Sequence, residues 1–367
     1  MVAAASGSNG PLRPRVTLQD VAHAAGVSIT SASRSLHNVS KGARAPSAST
    51  IERVQAVAAR LGYTRDQMAS GLRTKQSRLL GVLVPRLSDH VLATIYEGIE
   101  NEAGAAGYRT VVANTHDEQD EQRARTEVML DHRVDGLIFG DAHSDGRFVD
   151  ELERRGVPFV LVSRRAGDHP SVACDDVAGG RMAAAHLLEL GHTKMAVLAG
   201  EPYASTGRDR TRGFVDRCRE AGREVADRWV VDGPFHTRGG HSAMQQVLAA
   251  PGEIPTAVFA VNDFAAIGAM GAIRDAGLRV GYDIAVVGFN DVDLAAELPI
   301  PMTTVASPME EMGRGAVRLL LDMFAGGRPP SLLLQPQLKI RASSDVAQLR
   351  AMDRRPHVGL RACSEIA

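Results

Sequence analysis

Residues 17–36, TLQDVAHAAGVSITSASRSL, constrain this chain more than any other stretch. Apolar Leu18, Val21, Ala22 and Ala25 recur at helical spacing behind Thr17, which is placed to N-cap them. Gly26 can take the left-handed backbone that a sharp corner needs. Val27 follows as an apolar plug, and Ser28 can cap a second helix from Ile29 to about His37. The outward face of that helix is short and polar at Thr30, Ser31 and Ser33, with Arg34 at its far side. Solvated helices usually carry Lys and Glu there, whereas short side chains let another surface come close. Two readings stand open on these residues alone: a helix-turn-helix whose second helix enters a DNA major groove, or an ordinary helical hairpin in a core.

Charge separates them. Residues 1–78 hold 11 Lys and Arg against 3 Asp and Glu, a net +8, so the remainder must carry −9 to reach the whole-chain −1. A basic head on an acidic body is the electrostatic footprint of a head that meets phosphates. The length of 367 residues predicts two or three domains, and 44% hydrophobic with 23% charged residues is a globular composition. No apolar run approaches a membrane span, and residues 1–15 lack the apolar core of a signal peptide. Cys174, Cys218 and Cys363 are odd in number and far apart, which predicts a reducing, cytoplasmic setting with no disulfide framework and no metal site.

In chain order, residues 1–14 read as a flexible tail and 15–65 as the helical head. A loop over 37–47 holds Lys41, Gly42, Arg44 and Pro46. Ser49-x-x-Glu52 reads as a capping box for a third helix with Ile51, Val54, Val57, Ala58 and Leu61 inward, stopped by Gly62 and followed by a packing Tyr63. Residues 66–78 put Met68, Ala69 and Leu72 on one helical face, but Gly71 and the short length disfavour a lone helix, so a plain linker and a conditional helix both fit. From 79 onward apolar strand-like runs (LLGVLV, RTVVA, GLIF, PFVLV, KMAVLA, TAVFAV, IAVVGF) alternate with amphipathic helices such as 93–106 and 180–190. That is the α/β pattern of parallel sheets covered on both faces, which bind ligands at the carboxyl ends of their strands. The strand-end residues form a polar rim: Pro85 and Arg86, Asp141, Ser163 and Arg164, Asn262 and Asp263, Asn290 and Asp291. Asp263 and Asp291 also read as helix N-caps.

The chain resembles LacI/GalR-family transcriptional regulators over residues 16–344. The likeness rests on TLQDVAHAAGVS…SR, ARLGY, LGV, VDGLI, GHTKMAVLAG, GRDRTRGF, TAVFAVND and IAVVGFND, in that order. It implies a helix-turn-helix DNA-binding head, a hinge helix, and a core like a type I periplasmic binding protein with two subdomains and three chain crossings. The core would span 79–345, one subdomain over 79–176 and 306–335 and the other over 177–305 and 336–345, before a tail at 346–367. It also implies a repressor that is a homodimer on roughly palindromic operator DNA, controlled by a small-molecule effector, with no cofactor. A tetramer is not expected, because 345–367 lacks leucine heptads.

Carried over by position, Ile29, Thr30 and Arg34 would read base edges, and Ala69 with Leu72 would enter the minor groove. Thr17, Ser28, Ser31, Lys41, Arg44, Arg73 and Lys75 would meet phosphates. The loop after the second helix is about three residues longer than the family spacing, and Ala32 stands where a valine is common. In the core, Thr206, Arg210, Phe235, Asn262 and Asn290 fall at effector-lining positions, joined by Arg86, Ser163 and Arg164 at strand ends. Val91 and Leu92 replace frequent aromatics, Ser163 and Asn290 replace frequent carboxylates, and Ala204 replaces the arginine of purine-binding members. Fewer acids and more arginines predict an anionic effector such as a sugar acid, unless those arginines pair with Asp89, Asp141 or Asp168. Enzyme motifs are missing: no GxxxxGK[ST], no GxGxxG between strand and helix, no HExxH, no GxSxG. An exported solute receptor would carry a leader in place of a basic head, and a sugar-processing enzyme would need a paired acid and base that cannot be placed.

Overall fold

The structure is a computed structural model that describes residues 16–36, 46–63 and 76–353. The chain divides into two compact units, Met1–Ser77 and Arg78–Ala367.

In the first unit, α1 (Leu18–Ala25) starts on a full capping box. Thr17 Oγ1 accepts from Asp20 N at 3.3 Å, and Asp20 Oδ2 accepts from Thr17 N at 2.8 Å. Gly26 ends it at φ +66°, the left-handed region expected of the corner. Ser28 Oγ accepts from Ser31 N at 3.1 Å at the start of α2 (Ile29–Leu36). The third helix, α3 (Ala48–Leu61), begins earlier than expected: its cap is Ser47, whose Oγ accepts from Thr50 N, and not Ser49. Ser47 keeps an extended backbone while Ser49 is already helical, so Ser49 and Glu52 cannot form the expected box. Val21, Ala25, Ala32, Val54 and Val57 make the buried core, with Leu18, Leu36, Leu61 and Tyr63 packed on it.

The second unit holds two six-stranded sheets. The first lobe contains β1 (Leu79–Val84), β2 (Arg109–Asn114), β3 (Gly136–Phe139), β4 (Phe159–Val162), β5 (Ser171–Cys174) and β11 (Leu332–Leu334), in the order β11-β5-β4-β3-β1-β2 and wholly parallel. The second lobe contains β6 (Met195–Gly200), β7 (Val230–Asp232), β8 (Ala257–Ala260), β9 (Ala285–Asn290), β10 (Thr303–Ala306) and β12 (Gln337–Lys339), in the order β12-β10-β9-β8-β6-β7. Only β12 runs antiparallel there. The chain changes sheet after β5, after β10 and between β11 and β12, so three segments join the lobes. The short strands β5, β7, β10, β11 and β12, three or four residues each, are the ones the apolar runs did not reveal. In each lobe the order reverses beside the first strand, between β1 and β3 and between β6 and β8, where an open parallel sheet forms a ligand crevice.

Helices α4 (His90–Ala105), α5 (Gln119–Asp131), α6 (Arg147–Arg154) and α12 (Met309–Phe324) belong to the first lobe. The second lobe has α7 (Asp176–Glu189), α8 (Ser205–Glu220), α9 (Thr237–Ala249), α10 (Asp263–Asp275) and the short α11 (Leu294–Glu297). A final α13 spans Val346–Asp353. Three helix pairs cross at reciprocal glycines that let backbones touch. A Cβ on Gly180 would lie 2.0 Å from Arg210 O, and one on Gly213 would lie 2.1 Å from Val177 O. Gly98 with Gly313, and Gly240 with Gly268, make the same close approach for α4–α12 and α9–α10. Cys174 and Cys218 are buried, and burial pushes their thiols up to about 12 and about 11. Among the described residues no helix is long and apolar enough to cross a membrane.

Candidate functional site

On the head, α2 turns Ala32 and Ser35 inward, which leaves Ile29 and Thr30 exposed and Ser31 and Arg34 half-buried. Ile29 is 50% exposed, unusual for an aliphatic side chain at a helix start and suited to an apolar contact with another surface. The hydroxyls of Thr17 and Ser28 already serve as caps. Lys41, Arg44, Ala69, Leu72, Arg73 and Lys75 lie outside the described residues.

In the core, a cavity of about 840 Å³ opens where the carboxyl ends of both sheets face each other. The first lobe contributes Arg86 and Asp89 after β1, Asp117 and Gln119 after β2, His143 after β3 and Arg164 after β4. The second lobe contributes Glu201 and Tyr203 after β6, Phe235 and His236 after β7, and Phe264 at the start of α10. The crevices at both strand-order reversals thus merge into one space.

Arg164 organises this wall. Its guanidinium is buried and donates to both oxygens of Asp117, at 2.6 and 2.8 Å. Burial alone would raise the Asp117 carboxyl, but the Arg164 hydrogen bonds and charge outweigh it and hold the group below the ordinary carboxylate range. Tyr203 reaches across from the second lobe and donates its hydroxyl to Asp117 Oδ2 at 3.1 Å. Its ring stacks on His143 with centroids 4.5 Å apart and planes 8° off parallel. Burial, then the Asp117 charge, raise the Tyr203 phenol, so it stays a donor. The backbone is held in the left-handed region at His116, Asp117, Ser163, Asn290 and Asp291, all at strand ends. Such strain survives only where packing over-determines it.

The expected effector residues divide. Arg86, Arg164 and Phe235 line the cavity, with Arg86 exposed at its rim. Ser163, Thr206, Arg210, Asn262 and Asn290 are buried, and among the described residues they are not part of its wall. Arg210 lies over the Phe289 ring at 3.8 Å, donates to Asp176 Oδ1 at 2.7 Å and Val261 O at 2.7 Å, and reaches Asn290 Oδ1 at 3.5 Å. Asn290 in turn donates to Ser307 Oγ at 3.0 Å. Asp176 and Ser307 sit on two of the three segments that join the lobes, so Arg210 ties those segments together. Burial pushes Asp176 up to about 6 against the pull of Arg210. Asn262 caps α10 through Ala265 N and donates to Phe235 O at 2.7 Å, which positions the Phe235 ring. Gly200, at φ +79°, leaves room for that ring, since a Cβ there would lie 2.5 Å from it.

Two expectations are corrected. Asp263 is not the N-cap: Asn262 is, and Asp263 accepts from Thr304 Oγ1 at 2.6 Å and Val292 N at 2.8 Å while burial pushes it up to about 7. Asp291 caps no helix either; it pairs with Arg341 at 2.8 Å. The anion-friendly charge balance also fails. Five carboxylates, from Asp89, Asp117, Glu118, Asp120 and Glu201, line the cavity against two arginines, and Arg164 is already bound to Asp117 rather than to Asp89, Asp141 or Asp168. The strand-end rule, extended to β2 and β6, would have found Asp117 and Tyr203. Among the described residues no group of three His, Cys, Asp or Glu could hold a metal.

The family model for bacterial regulatory proteins of the lacI family matches residues 17–66, and that for a periplasmic binding protein-like domain matches 184–344. The HTH-type transcriptional repressor PurR of Serratia proteamaculans is 33% identical over 335 residues, covering 90% of this chain and 97% of that protein. PurR of Erwinia tasmaniensis is 33% identical over 323 residues, covering 87% and 93%. Among solved structures, the lac repressor dimer bound to operator and the anti-inducer ONPF matches with a TM-score of 0.81 at 30% identity, covering 90% of this chain and 99% of that one. The transcriptional regulator CelR in complex with cellobiose matches at 0.69 and 30%, covering 90% and 100%.

Proposed function

The chain belongs to the lacI family of bacterial regulatory proteins, and we propose that it is a homodimeric operator-binding repressor in the bacterial cytoplasm, gated by a neutral polyhydroxylated ring held between its lobes. In this reading 15–65 reads DNA and 66–78 links. The sensor runs from 79 through α13 to 353, past the expected boundary at 345, because α13 packs its buried Leu349 beside Gly281 of the core. Ile29, Thr30 and Arg34 read base edges, and Arg34 supplies the guanidinium fork suited to guanine O6 and N7. Ala69 and Leu72 enter the minor groove, while Ser31, Lys41, Arg44, Arg73 and Lys75, with the backbone at the caps Thr17 and Ser28, hold phosphates.

The observation that carries the effector class is the cavity's chemistry: carboxylate acceptors from both lobes beside the faces of Tyr203, Phe235 and Phe264. Carboxylates accept hydroxyl hydrogens, and aromatic faces pack against the C–H face of a ring. An acid would have to displace Asp117 from Arg164 or bind Arg86 at the rim. The likeness to a regulator solved with cellobiose fits the same class. A ligand touching Tyr203 on one lobe and Asp117 on the other favours one lobe arrangement, and a coupling of ~1–3 kcal/mol to the DNA site is typical of such systems. Calorimetry with cellobiose and with a matched uronic acid tests this. The neutral sugar is expected to bind more tightly; heat from the acid alone would contradict it.

A further inference from the structure

Outside that cavity, three guanidiniums converge on one carboxylate at the seam between the lobes. Arg165, just after β4, donates to Asp209 Oδ2 at 2.5 Å. From α8, Arg208 and Arg212 share the other oxygen at 3.4 and 3.5 Å. Asp209 is 3% exposed, whereas Arg208 and Arg212 are 51% and 56% exposed. One carboxylate cannot satisfy three five-donor forks, and among the described residues Arg208 and Arg212 have no other ion pair.

These two arginines also line a separate concavity of about 490 Å³, together with Thr211. The Thr211 hydroxyl itself is sealed from solvent beneath the concavity, with no hydrogen-bond partner among the described residues. The other carboxylates facing the concavity are Asp216, held by Arg219 at 3.0 Å, and Asp232 at the end of β7. We propose that Arg208 and Arg212 form a second ligand site, selective for a phosphate-class anion and distinct from the effector cavity. Guanidinium forks bind phosphate oxygens in pairs. Because Asp209 also holds Arg165 of the other lobe, an anion that draws Arg208 and Arg212 away leaves the Arg165–Asp209 bridge unshared and stronger.

The test is titration of the full chain with pyrophosphate at constant ionic strength, read by calorimetry. Arg208→Ala with Arg212→Ala, on a helix where alanine keeps the backbone, is expected to lower affinity ~10-fold or more. Arg34→Ala in the head and Arg86→Ala at the cavity rim are expected to leave it unchanged. Asp209→Asn removes the competing carboxylate and is expected to tighten binding, an outcome that damage to the fold does not produce. Unchanged affinity in the double variant, weaker binding in Asp209→Asn, or loss of the signal in Arg34→Ala or Arg86→Ala would each overturn the proposal.

Discussion

The head and the core organise their polar side chains in opposite ways. In the head, Thr17 with Asp20, Ser28 with Ser31 and Ser47 with Thr50 all bond within one helical turn. In the core, Arg164 reaches 47 residues back to Asp117, Arg210 reaches 34 back to Asp176, and Tyr203 spans 86 to Asp117. Local bonds hold a rigid reading surface and leave its outward face open. Long-range bonds join distant loops within each lobe, and the Tyr203–Asp117 bond joins the two lobes, so a group that alters that bond alters the arrangement of both. A DNA reader needs the first kind of wiring and a gated sensor the second.

The contrast can be broken most strongly at Arg210. Arg210→Ala leaves Asp176 buried without its partner, and the core is expected to lose about 3–5 kcal/mol in urea unfolding while the head's transition stays put. A loss below about 1 kcal/mol would mean that the long-range tie carries little. Gly180→Ala, which drives a methyl into the Arg210 carbonyl, is expected to cost the core up to about 3 kcal/mol.

Protonation sharpens the difference between the two units. Burial raises Asp89, Asp141, Asp176 and Asp263 above their unfolded values, the last two to about 6 and about 7. Between the unfolded value near 4 and these folded values, the four carboxyls bind more protons in the native core than in the unfolded chain. Asp176 and Asp263 are therefore expected to contribute stability, on the order of 2 kcal/mol, that is lost as pH rises from about 5 to about 8. His186 and His192, shifted down by burial, work in the opposite direction below about pH 6.5. Calorimetric melting across that range checks it, and Asp263→Asn is expected to flatten the slope. In the head, Asp20 is lowered by its hydrogen bonds to Thr17, so its contribution is lost only as pH falls through the acid range. Thr17→Ala is the smallest change, expected to cost the head ~1 kcal/mol and the core nothing, as amide exchange in α1 would report.

The same contrast governs how much was legible in the sequence. Thr17, Gly26, Ser28 and Gly62 could be placed because caps and corners depend on neighbours a few residues away. Even there, Ser47 and Ser49 competed for one cap, and the sequence pattern alone favoured the wrong one. Seven strands showed as apolar runs, while β5 and β10 carry polar Ser171, Thr303 and Thr304 and β7, β11 and β12 are three residues each, so no apolar run marked them. The cavity wall was half legible: Arg86, Arg164 and Phe235 follow from strand ends and resemblance. The Asp117–Arg164–Tyr203 contact joins three loops and two lobes, so no local spacing encodes it. Without it, the arginines looked free to bind an anion.

Fluorescence anisotropy of the full chain on duplexes carrying a selected inverted repeat, against scrambled duplexes, tests the central claim most directly. The account predicts preference for the repeat, steep weakening with salt, and a drop in preference of about tenfold or more in Arg34→Ala with core stability unchanged. Equal binding to repeat and scrambled duplexes at every salt concentration would contradict it.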